Sequence, residues 1–205
     1  MRSPRRVGIL VFDDAEVLDV CGPYEVFSVT GRRHEVEPFD VFLVAERTAP
    51  VVLRNGFSVN PRYTLAESPP IDLLVVPGGF GTRREINNPA LLDWIRARAA
   101  QSELVLSVCT GALLLGKAGL LDGLAATTHY GAIDLLRQVA PRATVVEGVR
   151  FIDNGKVILS EGVSAGIDMS LHVVDRLLGT EFAEEAAHYM QYHWDRDAGI
   201  LDEGL

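Results

Sequence analysis

Cys109 stands where an apolar run gives way to small residues, in Leu104-Val-Leu-Ser-Val-Cys109-Thr-Gly-Ala-Leu113. The run before it reads as a buried strand, and the Leu- and Ala-rich stretch after Thr110 reads as a helix. Gly111 and Ala112 leave room for a sharp strand-to-helix turn. That is the geometry of a nucleophile elbow, with cysteine where hydrolases place serine. A thiol at the start of a helix feels the positive end of the helix dipole, which favours the thiolate. The competing reading is a buried structural cysteine, a common use of this residue. Its place at the carboxyl end of a strand favours chemistry, because sites in open α/β sheets gather there.

Two other segments follow apolar runs and carry groups that a thiol nucleophile needs. Pro77-Gly78-Gly79-Phe-Gly81 comes after Asp72-Leu-Leu-Val-Val76. Backbone N–H groups at Gly78 and Gly79, with that of Thr110, would form an oxyanion hole beside Cys109; on its own the segment reads equally as a plain turn. In Leu18-Asp19-Val-Cys21-Gly-Pro23 an acid sits among apolar residues. Asp19 either exchanges protons with Cys109, its pKa raised by burial, or caps a helix near Gly22-Pro23.

Of the histidines, only His129 in Ala-Thr-Thr-His129-Tyr130 lies on a short apolar segment within reach of such a site. His188 and His193 are spaced wrongly for one helix face, and His34 and His172 lack supporting context. The sequence has no His-x-Glu pair to complete a glutaminase-type Cys-His-Glu triad. Arg83 and Arg84 read as solvated arginines at a helix start rather than as holders of a substrate anion. Gly162-Val-Ser164-Ala-Gly-Ile-Asp168 joins a strand to a helix. Its small residues allow close approach of a ligand or a partner subunit, which makes Ser164 a candidate site residue. Asp168 most simply offsets the dipole at that helix start.

The elements that must position these groups alternate along the chain. Strands are expected at Val7–Phe12, Phe39–Ala45, Asp72–Val76 and Leu104–Val108, with later strands at Thr144–Glu147 and Val149–Ser160. Helices are expected at Tyr24–Thr30, Asn88–Ala100, Thr110–Ala118, Gly131–Val139, Ala165–Leu178 and Glu181–Trp194. Asn55-Gly56 and Asp153-Asn154-Gly155 signal hairpin turns. Strands alternating with helices imply an α/β fold: a mainly parallel sheet covered by helices on both faces, a flavodoxin-like three-layer sandwich. Residues 1–195 form its single domain, and residues 196–205 read as a polar, irregular tail.

Composition narrows the function. The chain has 205 residues, 48% of them hydrophobic and 23% charged, which is ordinary for a globular protein. Its longest apolar run, Val41 to Ala45, is far short of the roughly 20 residues that span a bilayer. The apolar stretch after the basic N-terminus is too short for a secretion signal, so a cytoplasmic protein is expected. The net charge of −9, from 28 acids and 19 bases, argues against a nucleic-acid partner. The two cysteines, Cys21 and Cys109, are too few for a disulfide framework, and no ligand set for a metal appears.

Taken together, Val7–Phe12, Leu18–Pro23, Val76-Pro-Gly-Gly79, Ser107-Val-Cys-Thr-Gly111, Ala126-Thr-Thr-His129 and Val163–Asp168 resemble the ThiJ/PfpI superfamily, a branch of the class I glutamine amidotransferase-like fold. Within it the chain looks most like isocyanide hydratases and the ligand-like domains of AraC-type transcription regulators. The chain ends soon after Trp194, without the helix-turn-helix region of those regulators. The hydratase resemblance implies that Cys109 is the nucleophile and Asp19 the acid that handles protons beside it. It further implies that Thr110 and Gly79 flank the nucleophile, with no cofactor or metal required. The substrate would be a small electrophile, hydrated to an N-substituted formamide through a thioimidate. The other readings are a ligand or redox sensor without catalysis, and an amidase, peptidase or glyoxalase-like activity. The superfamily implies a homodimer. One departure is Cys21, where the hydratases carry threonine. It reads either as a small space-filling residue or as a resolving thiol, on the same loop as Asp19, for an oxidised Cys109.

Overall fold

In chain order the elements are β1 (Arg5–Leu10), α1 (Val17–Val29), β2 (Phe39–Ala45), β3 (Val51–Val52), β4 (Ser58–Val59), β5 (Tyr63–Thr64), β6 (Leu73–Val76), α2 (Thr82–Glu85), α3 (Pro89–Gln101), β7 (Leu104–Val108) and α4 (Gly111–Lys117). They continue with β8 (Ala125–Ala126), α5 (Ile133–Val139), β9 (Thr144–Val145), β10 (Phe151–Asp153), β11 (Val157–Ser160), α6 (Ala165–Leu178), α7 (Thr180–Tyr189) and β12 (Gly199–Leu201). The structure is a computed structural model and describes residues 3–201.

The main sheet runs β12-β10-β11-β7-β6-β1-β2-β5, and only the β10–β11 pair is antiparallel. Strands β6, β7 and β11 are buried along their whole length. They are almost wholly apolar, broken only by the buried Ser107 and Ser160, because helices cover both of their faces. Helices α1, α6 and α7 pack together as one layer, and α3, α4 and α5 as the other. This is the three-layer α/β sandwich that the alternating pattern predicts. Its neighbouring strands β7, β6 and β1 bring their carboxyl ends side by side.

Local chemistry explains most boundaries. The side chain of Asn88 accepts from the Leu91 N–H, Pro89 opens α3, and Leu91, Leu92, Ile95 and Ala99 form its buried stripe. Asn55 takes a left-handed conformation in the turn between β3 and β4.

Four features differ from what residue order suggests. Helix α1 starts at Val17 rather than Tyr24, with Gly22 and Pro23 inside it. Val20, Val26 and Phe27 of α1 are buried, and this packing outweighs the backbone hydrogen bond that Pro23 cannot donate. A Cβ on Gly22 would lie 3.0 Å from Ile167, so the glycine lets α1 sit close on α6. The segment after Asp195 is not wholly irregular, because β12 adds a parallel edge strand beside β10. Gly199 makes that possible: a Cβ there would stand 2.1 Å from the Phe151 ring. Finally, β9 pairs with β8 outside the main sheet, and α7 stops at Tyr189, so His193 lies beyond the helix.

Candidate active site

Cys109 leaves the end of β7 with φ 56°, a left-handed conformation for a residue that carries a Cβ. Such a backbone costs about 1–3 kcal/mol and is held only by its surroundings. Here three segments hold it. The Cys109 N–H donates to the carbonyls of Ser160 (3.1 Å) and Glu161 (2.8 Å), and its carbonyl accepts from the Thr128 hydroxyl (2.8 Å). The side chain is 5% exposed. The N–H groups of Thr110 and Val163 and the Thr110 hydroxyl lie near enough to its sulfur to favour a charge there.

Asp19 projects from the first turn of α1 and is fully buried. Its Oδ2 accepts from the Gly78 N–H at 3.0 Å, and its carboxyl lies close enough to the Cys109 thiol for each to influence the other's ionisation. Oδ1 has no partner among the described residues. Burial, the largest influence, pushes its pKa up to about 7, against the opposing pull of the Gly78 hydrogen bond and the nearby Cys109 thiol. Asp19 lies in the first turn of α1, which runs through Gly22 and Pro23, so it caps no helix start there.

The ionisation of Cys109 runs opposite to the sequence expectation. Burial, and then the carboxylate of Asp19, push the thiol up to about 12. The N–H groups at the turn pull the other way and are outweighed. Burial and the neighbouring Asp19 carboxyl thus both favour the thiol over the thiolate.

Gly78 and Gly79 serve differently from the expected oxyanion hole. The Gly78 N–H is engaged by Asp19, and the Gly79 N–H by the Thr110 hydroxyl at 2.9 Å. They aim the acid and the threonine instead of facing a substrate. A Cβ on Gly78 would lie 2.4 Å from the Thr110 nitrogen and 2.9 Å from Asp19 Oδ2, so only glycine lets the three approach. Gly79, at φ 117°, presses against the backbone of Asp14–Glu16 just before α1.

Val163 is the residue that sequence reasoning missed. It has no reactive side chain, and its contribution is a backbone N–H presented from a left-handed φ of 47°. The only signal was its place among small residues between a strand and a helix. Thr82 was missed too; its hydroxyl bonds the Gly79 carbonyl (2.8 Å) and the Thr110 hydroxyl (3.1 Å).

The remaining candidates lie around this centre. His129 borders it: its ring packs on Gly162, while its Nδ1 accepts from the Gly131 N–H (3.1 Å). Thus the close approach at Gly162 is made by His129. Ser164 is exposed at the start of α6, its hydroxyl 3.4 Å from an Arg150 nitrogen. Asp168 is buried and paired with Arg150 rather than free to offset a dipole. Cys21 is on α1 and not on a loop, two residues beyond Asp19, and borders a hollow with Ile167, Met190 and Tyr192. Residues two apart on a helix point about 200° apart, so Cys21 faces away from the side that carries Asp19. Burial raises its pKa. Arg83 is half-buried, bonds the Gly79 carbonyl (3.2 Å) and lies over the exposed Phe80 ring; Arg84 donates to the Asp13 carbonyl (2.8 Å). Among the described residues, no group of three or more His, Cys, Asp or Glu could hold a metal ion, and no helix is long and apolar enough to cross a membrane.

Comparison with known proteins agrees with this geometry. The sequence matches the DJ-1/PfpI family over residues 5–176. It is similar to isonitrile hydratase of Pseudomonas putida, 35% identical over 187 residues that cover 91% of this chain and 78% of that protein. It is also similar to the HTH-type transcriptional regulator CdhR of Pseudomonas aeruginosa, 33% identical over 172 residues, and there spans 78% of this chain but about half (51%) of the regulator. Among solved structures, a ThiJ/PfpI family protein from Pseudomonas syringae superposes with a TM-score of 0.84 at 30% identity, covering 94% of this chain and 77% of that one.

Proposed function

Because this chain belongs to the DJ-1/PfpI family and sets a buried carboxyl against the thiol of a strained turn, we propose that it is a cysteine-dependent hydratase of small isocyanides. The observation that carries this reading is the fully buried carboxyl of Asp19, held by the Gly78 N–H beside Cys109. The similarity to isonitrile hydratase supplies the substrate class.

The steps follow from the two side chains. Ionised Asp19 takes the thiol proton as sulfur attacks the terminal isocyanide carbon. Asp19 then returns that proton to the same carbon, which leaves a thioimidate, R–N=CH–S, on Cys109. Water adds to the carbon as its proton passes by way of Asp19 to nitrogen. Collapse of the adduct, with proton return to sulfur, releases R–NH–CHO and restores the thiol. The sum is isocyanide plus water, so no redox partner is needed. The unpartnered Oδ1 of Asp19 is suited to orient that water. Thr110 and Val163 N–H groups steady the sulfur as it gains and loses charge.

The test is formamide release from p-nitrophenyl isocyanide. Turnover by the wild type, and its loss in Cys109→Ala and Asp19→Asn, are expected. Folded wild-type protein that binds the isocyanide without releasing formamide would overturn the reading. It would favour the second one, a ligand sensor, which the similarity to a transcriptional regulator supports. Family members are often dimeric, so a homodimer belongs to this proposal, and sedimentation of the purified chain tests it.

A further inference from the structure

Resting on the reading of Cys109 as a nucleophile, the geometry points to Arg150 and Asp168 as positioning residues that hold the turn carrying the Val163 N–H in place beside Cys109. The turn at residues 161–164 is gripped on both sides by Arg150. The Arg150 carbonyl accepts from the Glu161 N–H at 2.9 Å, before the strained residue. Beyond it, the Arg150 guanidinium reaches Ser164 Oγ at 3.4 Å and binds Asp168 through two nitrogens, one of them at 2.9 Å. Asp168 is 3% exposed, and its second oxygen accepts from the Tyr192 hydroxyl at 3.0 Å. The clamp thus ties together the strand-leading segment before β10, the first turn of α6 and the chain after α7.

Such a clamp is what the strained turn requires. Val163 is β-branched and sits at φ 47°, a conformation that relaxes unless its neighbours over-determine it. A fork of planar guanidinium bonds fixes direction as well as distance. On the near side, Cys109 itself holds the turn through its N–H bonds to the Ser160 and Glu161 carbonyls. The far side depends on Arg150 and Asp168. Neither residue touches the reacting atoms; both act through the backbone of Val163.

The test compares iodoacetamide alkylation of Cys109, followed by mass spectrometry, in Arg150→Met and Asp168→Asn. The reaction is read on the rising limb of the pH profile, with Cys21 as internal reference and melting as a check on folding. A hydrogen bond to a charged group is worth about one to two pH units, so its loss should slow alkylation about tenfold or more. Both variants should slow, and Arg150→Lys should recover part of the rate. The sign is decisive. A role through charge alone would slow Arg150→Met and speed Asp168→Asn, and simple loosening would expose the sulfur and speed both. Either result, or an unchanged rate in a folded variant, overturns the inference. If Arg150→Met does not fold, Asp168→Asn decides by the same sign. Isocyanide turnover does not enter, so this inference and the proposed reaction fail separately.

Discussion

The carboxyl of Asp19 is buried beside the thiol of Cys109, where burial drives both groups towards their neutral forms. Each charge that one of them carries makes the other's harder to form. The pair therefore holds one negative charge at most near neutral pH, and the proton can move between oxygen and sulfur without changing that total. The proposed reaction accordingly uses general-base activation of a thiol, in contrast to a standing thiolate.

A pH dependence follows. Asp19 must be ionised to accept the proton, and its pKa lies at about 7. Turnover should rise about tenfold per pH unit below that value and level off above it. Asp19→Asn should abolish the rising limb and lower the plateau by roughly 10²–10⁴-fold. A stopped-flow profile of formamide release from pH 5 to about 9 checks both effects.

Asp19 should also cost stability. At low pH the carboxyl is neutral in the folded and unfolded chain, so it contributes no penalty. Above the ordinary carboxylate pKa the unfolded chain ionises, while the folded one stays protonated until about 7. Stability is therefore lost progressively as pH rises across that window. An asparagine amide in its place would keep an acceptor for the Gly78 N–H without the charge. Asp19→Asn should accordingly stabilise the protein at pH 8 by roughly 2–4 kcal/mol and leave it little changed near pH 4. Urea unfolding at the two pH values measures the difference.

Gly78→Ala separates packing from chemistry. The added methyl carbon would meet the Thr110 nitrogen at 2.4 Å and Thr110 Oγ1 at 2.7 Å, and the first of these is backbone that cannot swing aside. The turn must shift, which moves Asp19 off the thiol. A destabilisation of about 1–3 kcal/mol is expected, together with a loss of turnover of about a hundredfold or more. Urea midpoints and formamide release from the folded variant check the two effects.

Much of this arrangement was legible from residue order. Leu104–Val108 could only be a buried strand, and small residues after Cys109 could only be a tight turn, so the elbow and its strand-end position followed. Asp19 was singled out because an acid among apolar residues must find a partner. What stayed hidden depends on long-range packing. The reach of α1 back to Val17 is set by burial against the sheet and α6, which outweighs the local signal of Pro23. The Val163 N–H is backbone, and no side chain advertises it. The engagement of Gly78 and Gly79 by Asp19 and Thr110 needs three segments that are distant in sequence. The rise of the Cys109 pKa is likewise a sum of burial and charge that the helix dipole, visible locally, does not reveal.

That difference in α1 decides the fate of Cys21. On a flexible loop it would meet Cys109; on a helix it is turned away from the face that carries Asp19. Bridging the two sulfurs would require α1 to rotate or unwind, against the buried contacts of Val20, Val26 and Phe27. Mild peroxide should therefore oxidise Cys109 only slowly, because its thiol is buried and hard to ionise, and should not join it to Cys21. Cys21→Ser should change neither the oxidation product nor the turnover by more than about twofold, as expected of a half-buried packing residue. Mass spectrometry of peptides prepared without reductant reads the result directly. A cross-linked Cys21–Cys109 pair, lighter by two hydrogens, would show that α1 opens and that Cys21 is a resolving thiol after all.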